Sequence, residues 1–228
     1  MTKSILGGIS MKNRNILMVV TNHDRIDESH ASGLWLEEFV APYREFKDQG
    51  YDITVASPKG GIAPLDKNSL MAERELPPEV VLLQNTTPLA EINPEDYDAI
   101  FLTGGHGTMF DFPTSADLKI VIKNFARRGK PISAVCHGVA GLVGIQMEDG
   151  KSLVAGRTLT SFTNEEEYMA KLENLVPFML ETRLREQGAN HQVAASFTEH
   201  VVVDNNLVTG QNPMSSKKAA LAVISLLL

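Results

Sequence analysis

Two kinds of hydrophobic segment alternate along the chain. Short continuous apolar runs are typical of strands that are buried on both faces of a sheet. Longer segments follow them, in which apolar residues recur at helical spacing. The first unit predicts a strand at 15–22, a helix capped by Ser32 and ended by Gly50, and a second strand at 52–57. Strand, helix and strand in this order predict a parallel pair.

The same alternation resumes after residues 60–94, a polar, proline-rich stretch that we expect to form a long excursion near the active-site end. A strand at 99–103 runs into a glycine turn. A helix capped by Ser115 and stopped by Gly129 follows. The next buried strand, "PISAVC" at 131–136, is predicted to lead directly into another helix.

The last third of the chain predicts a short strand, "TLTSF", and one or two helices broken near Pro177. A hairpin with its turn at Asn205-Asn206 follows, and then a closing helix capped by Ser215 or Ser216. The whole pattern predicts an α/β fold with a doubly wound, mostly parallel sheet and helices on both faces.

The pattern also predicts the domain organisation. Residues 11–228 contain no repeat or linker-like change of composition, so we expect a single domain there. Residues 1–10 precede a second methionine, Met11, and are interpreted as a leader or an expression remnant.

Composition narrows the class of protein. The chain has 228 residues, of which 43% are hydrophobic and 21% charged, as in soluble globular proteins. Its formal net charge of -7 argues against nucleic acid or an anionic membrane as a partner. The most apolar run, "AALAVISLLL", is shorter than a membrane span. A single cysteine allows no internal disulfide, which favours a reducing, cytoplasmic location.

That cysteine, Cys136, lies where a buried strand turns into a predicted helix, with His137 next to it. Such a turn is a nucleophile elbow, which lifts the nucleophile above the sheet. A helix N-terminus favours the thiolate, so we expect a reactive thiol that oxidises readily. The N–H of His137 is a candidate oxyanion donor, while its ring is expected to aim sideways. The alternative is that Cys136 is only a small buried hydrophobic residue.

Two further features fall at the same edge of the predicted sheet. In "TGGHG", Gly104 and Gly105 let backbone N–H groups approach a ligand and complete an oxyanion hole, although an ordinary turn is the alternative. Glu38 lies on the first helix among apolar residues, where the pKa of a carboxyl rises and the group can hold a proton near a thiolate. Most helical glutamates are simply solvated, as we expect for Glu37.

Five segments, in order, carry a family resemblance: "GLWLEEFVAPYREFKDQGYDITVASPKGG", "DAIFLTGGHGTMFDFP", "AVCHGVAGL", "LTSFTNEEE" and "LVTGQNPMSS". They resemble the ThiJ/PfpI superfamily, and within it the heat-shock-inducible glyoxalase III enzymes, also described as chaperones and protein deglycases. The resemblance extends from about Met11 to the end of the chain. It implies a flavodoxin-like fold, and the family commonly forms homodimers.

The resemblance also implies the site residues. Cys136 matches the nucleophile, His137 the adjacent histidine, and Gly105 an oxyanion-hole glycine. Glu38 matches the glutamate four positions before a proline, here Pro42.

The acid that orients the histidine is implied by the stretch "FTxxxE", which places it at Glu167. Because three glutamates are consecutive, a slip of one position to Glu166 remains an alternative.

The implied reaction converts a small α-oxoaldehyde such as methylglyoxal to D-lactate. Cys136 adds to the aldehyde, Glu38 exchanges protons with the thiol and the hemithioacetal oxygen, and His137 moves protons on the substrate carbons. Oxidation at one carbon is balanced by reduction at the next, so no cofactor is expected.

Two other function classes stay open. One is a holding chaperone that binds unfolded or glycated proteins, and the other is an amide hydrolase of the protease or amidotransferase type. A metal centre is not predicted, because the spacing of the other histidines matches no metal signature: His23, His30, His106, His191 and His200.

Overall fold

The computed structural model describes residues 13–71 and 75–228, so the interpretation of residues 1–10 lies outside the described part. Nine strands are present there: β1 (Asn15–Val19), β2 (Asp52–Ser57), β3 (Thr87–Pro88), β4 (Ala99–Leu102), β5 (Ile132–Val135), β6 (Thr158–Leu159), β7 (Asn190–His191), β8 (Val201–Asp204) and β9 (Leu207–Gly210). Seven of them form one sheet in the order β3-β2-β1-β4-β5-β9-β8. All neighbours are parallel except the β8–β9 hairpin, and β6 and β7 form a separate parallel pair.

The helices cover both faces of the large sheet. They are α1 (Leu36–Asp48), α2 (Thr108–Asp111), α3 (Ala116–Arg127), α4 (Asn164–Ala170), α5 (Leu180–Glu186) and α6 (Ser216–Leu227). Short 3₁₀ helices lie at Lys67–Leu70, Pro78–Gln84, Leu89–Glu91, Pro94–Asp96, Cys136–Leu142 and Pro213–Ser215. Within the described ranges, no helix is long and apolar enough to cross a bilayer.

Strand alternation divides the core into two hydrophobic clusters. Successive side chains of a strand point to opposite faces. Met18 therefore packs in one cluster with Phe39 of α1 and Val223 of α6, whereas its neighbour Leu17 packs in the other cluster with Phe125 of α3. This arrangement confirms the predicted doubly wound α/β fold with helices on both faces.

The strand order places a crevice at the carboxyl edge of the sheet. After β1 the chain continues to β2 on one side, and after β4 it continues to β5 on the other side. Ligands of doubly wound sheets bind where the order reverses in this way. The segments leaving β1, β4 and β5 therefore meet at one place, and they carry the residues singled out above.

The predicted helix caps are correct in one case and wrong in the others. Ser115 caps α3 by accepting a hydrogen bond from the Leu118 N–H at 3.2 Å. Ser32 does not cap α1, because its hydroxyl donates to Asp66, and α1 begins after Trp35.

At the start of α6, neither predicted serine caps through its side chain. The hydroxyl of Ser215 accepts from the His200 N–H, and that of Ser216 donates to the carbonyl of Pro213. Both hydroxyls form hydrogen bonds with other nearby groups, so neither caps the N-terminus of α6.

Two other expectations differ from the structure. The segment after Cys136 is a fully buried 3₁₀ helix that ends at Leu142, not an α-helix. A Cβ on its Gly138 would collide with the carbonyl of Thr103, so the segment is packed too tightly against the end of β4 for a larger residue. The excursion at 60–94 also contributes the edge strand β3, which the sequence pattern did not predict.

Candidate active site

Cys136 is held at the turn between β5 and the following 3₁₀ helix. Its φ angle of 55° lies in the left-handed region, which costs about 1–2 kcal/mol for a residue with a Cβ. Residues kept in such conformations cluster at functional sites, because the surrounding structure must impose them. The predicted elbow at Cys136 is therefore confirmed, and its backbone is strained.

A histidine pair shares one carboxylate beside this elbow. The Nε2 atom of His137 lies 2.7 Å from Oε2 of Glu167, and the Nε2 atom of His106 lies 2.7 Å from Oε1 of the same carboxylate. The two imidazole centroids are 3.9 Å apart. All three side chains are buried.

The two histidines determine the protonation state of the Glu167 carboxyl. Burial opposes ionisation of Glu167, but the two histidines outweigh burial and hold the pKa of the carboxyl far below its usual range. An ionised carboxylate can only accept hydrogen bonds. Both Nε2 atoms are therefore assigned as donors, so Nδ1 is the only atom of each ring that can carry a lone pair.

The ring of His137 faces the thiol. This orientation differs from the sequence-based prediction that the ring aims sideways. Its Nδ1 atom is 3.4 Å from Sγ of Cys136. Burial and the neighbouring His106 lower the pKa of His137, so the ring is held neutral and can accept the thiol proton.

Glu38 lies on the first turn of α1 and is completely buried against the same thiol. Burial raises the pKa of its carboxyl to about 8, and the Cys136 thiol and the Gly104 N–H counter that rise only in part. Neither carboxyl oxygen makes a hydrogen bond within ordinary distance and angle limits. A buried carboxyl with so little compensation is a candidate functional group, and it is protonated at pH 7.

The prediction of a low-pKa thiol is wrong for the resting protein, whereas its ready oxidation stays a prediction. Burial raises the pKa of Cys136 well above its ordinary value, and the charge of Glu38 raises it further. The 3₁₀ helix after the thiol spans only Cys136–Leu142, so it supplies little of the positive potential expected from a longer α-helix. The proton must leave Cys136 when substrate arrives.

The two glycines of "TGGHG" face different neighbours. Gly104 lies against Glu38, and a Cβ there would collide with Oε2 of that carboxyl. Gly105 has a φ angle of 97° and lines the cavity above Cys136, while Gly104 is not part of the cavity wall. The His137 N–H points towards the Cys136 sulfur.

A cavity of about 540 Å³ opens above these groups. Cys136, His137 and His106 are part of its wall. Aromatic and apolar side chains form much of the remainder, including Trp35, Phe162, Phe197, Leu172 and Met214. His30 and Lys67 add polar groups. An apolar cavity with a few convergent polar groups is typical of a small-molecule site.

The three consecutive glutamates at the start of α4 lie in three different environments. Glu165 is exposed. Glu166 is completely buried. Its carboxylate accepts hydrogen bonds from Thr163, Phe197, Gln211 and Asn212. Of the two alternatives for the acid, Glu167 therefore contacts the histidines and Glu166 holds the loop that carries Phe197.

We expect Glu166→Gln to lower the free energy of unfolding by about 1–3 kcal/mol, because an amide would oppose backbone and side-chain donors that now share a carboxylate. Glu165→Gln is the matched control and should leave stability unchanged. Urea denaturation of both variants measures the difference. Equal effects of the two substitutions would contradict this account of the network.

One group among the described residues could hold a metal ion: the ligand atoms of His106, His137 and Glu167 lie within 4.8 Å of one another. The Nε2 atom of each histidine already lies at hydrogen-bonding distance from the carboxylate. A metal ion bound by these Nε2 atoms would therefore have to replace both hydrogen bonds.

His106 is the site residue that sequence reasoning missed. The sequence places it within "TGGHG", but its spacing from the other histidines matches no metal signature, and the pattern assigns it no other role. Its hydrogen bond to Glu167 joins residues 61 positions apart in the chain. The available signal was its place on the glycine loop next to the predicted elbow.

Comparisons with known proteins agree with this fold. The sequence model of the DJ-1/PfpI family matches residues 30–226. A glutathione-independent glyoxalase of Saccharomyces cerevisiae is 25% identical, over 95% of this chain and 99% of that protein. The crystal structure of glyoxalase III from Candida albicans has 27% identity and a TM-score of 0.83, covering 93% of this chain and 97% of that one. The Rapid Encystment Protein of Francisella tularensis has 35% identity and a TM-score of 0.89, covering 94% and 99%. The chain belongs to the DJ-1/PfpI family.

Proposed function

We propose that this protein converts methylglyoxal, or a closely related α-oxoaldehyde, to D-lactate without glutathione. The observation that carries the proposal is the buried thiol of Cys136, which lies between a neutral imidazole and a protonated carboxyl at the wall of a cavity. The relatives named as glyoxalases support the same chemistry.

The geometry supports a covalent route. The Cys136 sulfur adds to the aldehyde carbon while its proton moves to His137, and the Glu38 carboxyl protonates the oxygen of the resulting hemithioacetal. The N–H groups of Gly105 and His137 are the candidate donors to that oxygen as charge develops. Transfer of hydrogen from the first carbon to the second gives a lactoyl thioester, which water releases.

Lactate formation tests the proposal. Purified protein is incubated with methylglyoxal in the absence of glutathione and in the presence of a chelator, and D-lactate is measured with a stereospecific dehydrogenase. We expect D-lactate to accumulate in proportion to the amount of protein. No lactate above the rate without protein would overturn the proposed function.

A second candidate substrate is a methylglyoxal adduct on a protein side chain. Methylglyoxal has five non-hydrogen atoms. If each atom takes the roughly 30 Å³ that one water molecule occupies in the liquid, the molecule needs roughly 150 Å³. The cavity of about 540 Å³ is larger, and Phe197 and Met214 are partly exposed in its wall. Comparing kcat/KM for free methylglyoxal and for its adduct with N-acetylcysteine distinguishes the two substrates.

We also propose a homodimer, which the family resemblance predicts. Leu221, Leu226 and Leu228 at the C-terminal end are exposed, and burial of such side chains would favour association. Light scattering at micromolar concentration should give twice the mass of one chain. The mass of a single chain would contradict it. The chaperone and amide-hydrolase alternatives, and the cytoplasmic location, stay predictions.

A further inference from the structure

Both ring nitrogens of His137 are already engaged. Nε2 donates to Glu167, and Nδ1 faces the thiol of Cys136 at 3.4 Å. Once Nδ1 has accepted the thiol proton, the ring has no lone pair left to remove a second proton. The proposed reaction requires such a second proton transfer, from the first carbon of the substrate to the next.

His106 offers an unused base in the same cavity. Its Nε2 donates to Glu167, so Nδ1 is the ring atom that can carry a lone pair and accept a proton. That Nδ1 makes no hydrogen bond to any residue in the described ranges, although the ring lines the cavity beside Cys136 and His137. Because Glu167 contacts both rings, its negative charge stabilises a proton on either imidazole.

We propose that His106, rather than His137, is the catalytic residue that exchanges protons with the substrate carbons. This inference rests on the proposed function and divides the acid–base work between the two histidines. His137 handles the thiol proton, and His106 handles the proton that moves between carbons.

The steps balance without any other reactant than water. As sulfur bonds to the aldehyde carbon, the thiol proton passes to His137, and Glu38 protonates the aldehyde oxygen. Nδ1 of His106 then takes the hydrogen of that carbon, the electron pair forms a carbon–carbon double bond, and the ketone oxygen takes the proton from His137. His106 returns a proton to the second carbon while Glu38 recovers the hydroxyl proton of the first, which becomes the thioester carbonyl. The first carbon is oxidised and the second is reduced.

His106→Gln tests the assignment, because the Gln amide can still donate to Glu167 but offers no base at the position of Nδ1. His23→Gln replaces a histidine that stacks on Phe110 outside the cavity wall, and it is the matched control. We measure lactate turnover, the kinetic isotope effect with methylglyoxal deuterated on its aldehyde carbon, and the rate at which iodoacetamide alkylates Cys136.

We expect His106→Gln to lower turnover by about 10²–10⁴-fold, with a larger isotope effect than the wild type, since cleavage of the carbon–hydrogen bond becomes slower. Alkylation should keep its wild-type rate because His137 still accepts the thiol proton. His23→Gln should behave as the wild type in all three assays. Wild-type turnover in His106→Gln, or an equal loss of turnover and alkylation, would overturn the assignment.

If His106→Gln does not fold, the smaller His106→Asn is put through the same assays with the same expected results. Failure of the wild-type protein to form lactate would instead overturn the proposed function itself, so the two failures are distinguishable.

Discussion

Glu38→Gln is expected to lower turnover of methylglyoxal by about 10²–10⁴-fold, the usual contribution of a positioned acid–base group. The amide keeps the size of the carboxyl that lies against Cys136 and Gly104, but it can neither protonate the hemithioacetal oxygen nor recover that proton. Exposed Glu37, the preceding residue, provides the matched control Glu37→Gln. Initial-rate kinetics on both variants measure the effect, and unchanged turnover in Glu38→Gln would remove Glu38 from the mechanism.

The same substitution should stabilise the fold as pH rises. The folded-state pKa of Glu38 is raised from 4.5 to about 8, so between these values the folded chain keeps a proton that the unfolded chain has lost. Across that window, the free energy of unfolding of the wild type therefore falls relative to that of Glu38→Gln, by about 1.4 kcal/mol per pH unit.

Thermal denaturation at pH 5 and pH 8 measures this difference. The gain in Tm for Glu38→Gln should be larger at pH 8, whereas Glu37→Gln should show no such trend. A gain that is larger at pH 5 would contradict the buried, protonated carboxyl.

Cys136→Ser is expected to abolish turnover while leaving thermal stability close to that of the wild type. A hydroxyl fits the space of the thiol, but an alcohol is less acidic than a thiol and a weaker nucleophile towards the aldehyde. Serine must adopt the same left-handed backbone conformation as Cys136, so the substitution does not change that cost. Turnover at a substantial fraction of the wild-type rate would show that another group attacks the substrate.

The sequence predicts the architecture of this protein well, because buried strands and amphipathic helices have distinct periods. The hairpin turn at Asn205-Asn206 and the break around Pro177 between α4 and α5 follow from local turn chemistry, and the structure confirms both. The elbow at Cys136 is predicted for the same local reason.

Burial raises the pKa of Glu38 as the sequence predicts, but other properties set by burial or by distant contacts could not be predicted in this way. Desolvation determines the high pKa of Cys136, and its extent depends on the packed fold. The link from His106 to Glu167 is made across the fold, and no spacing in the sequence encodes it. Serine is a common capping residue, yet the hydroxyl of Ser32 donates to Asp66 of a distant loop.

Isotope labelling tests the central claim most directly. The wild-type protein is incubated with methylglyoxal in deuterated water without glutathione, and the lactate is examined by proton and deuterium NMR. A base that removes hydrogen from the first carbon and exchanges with solvent predicts D-lactate with deuterium at its second carbon. Lactate that retains the original aldehyde hydrogen at that carbon would show a direct hydride shift and would contradict the account.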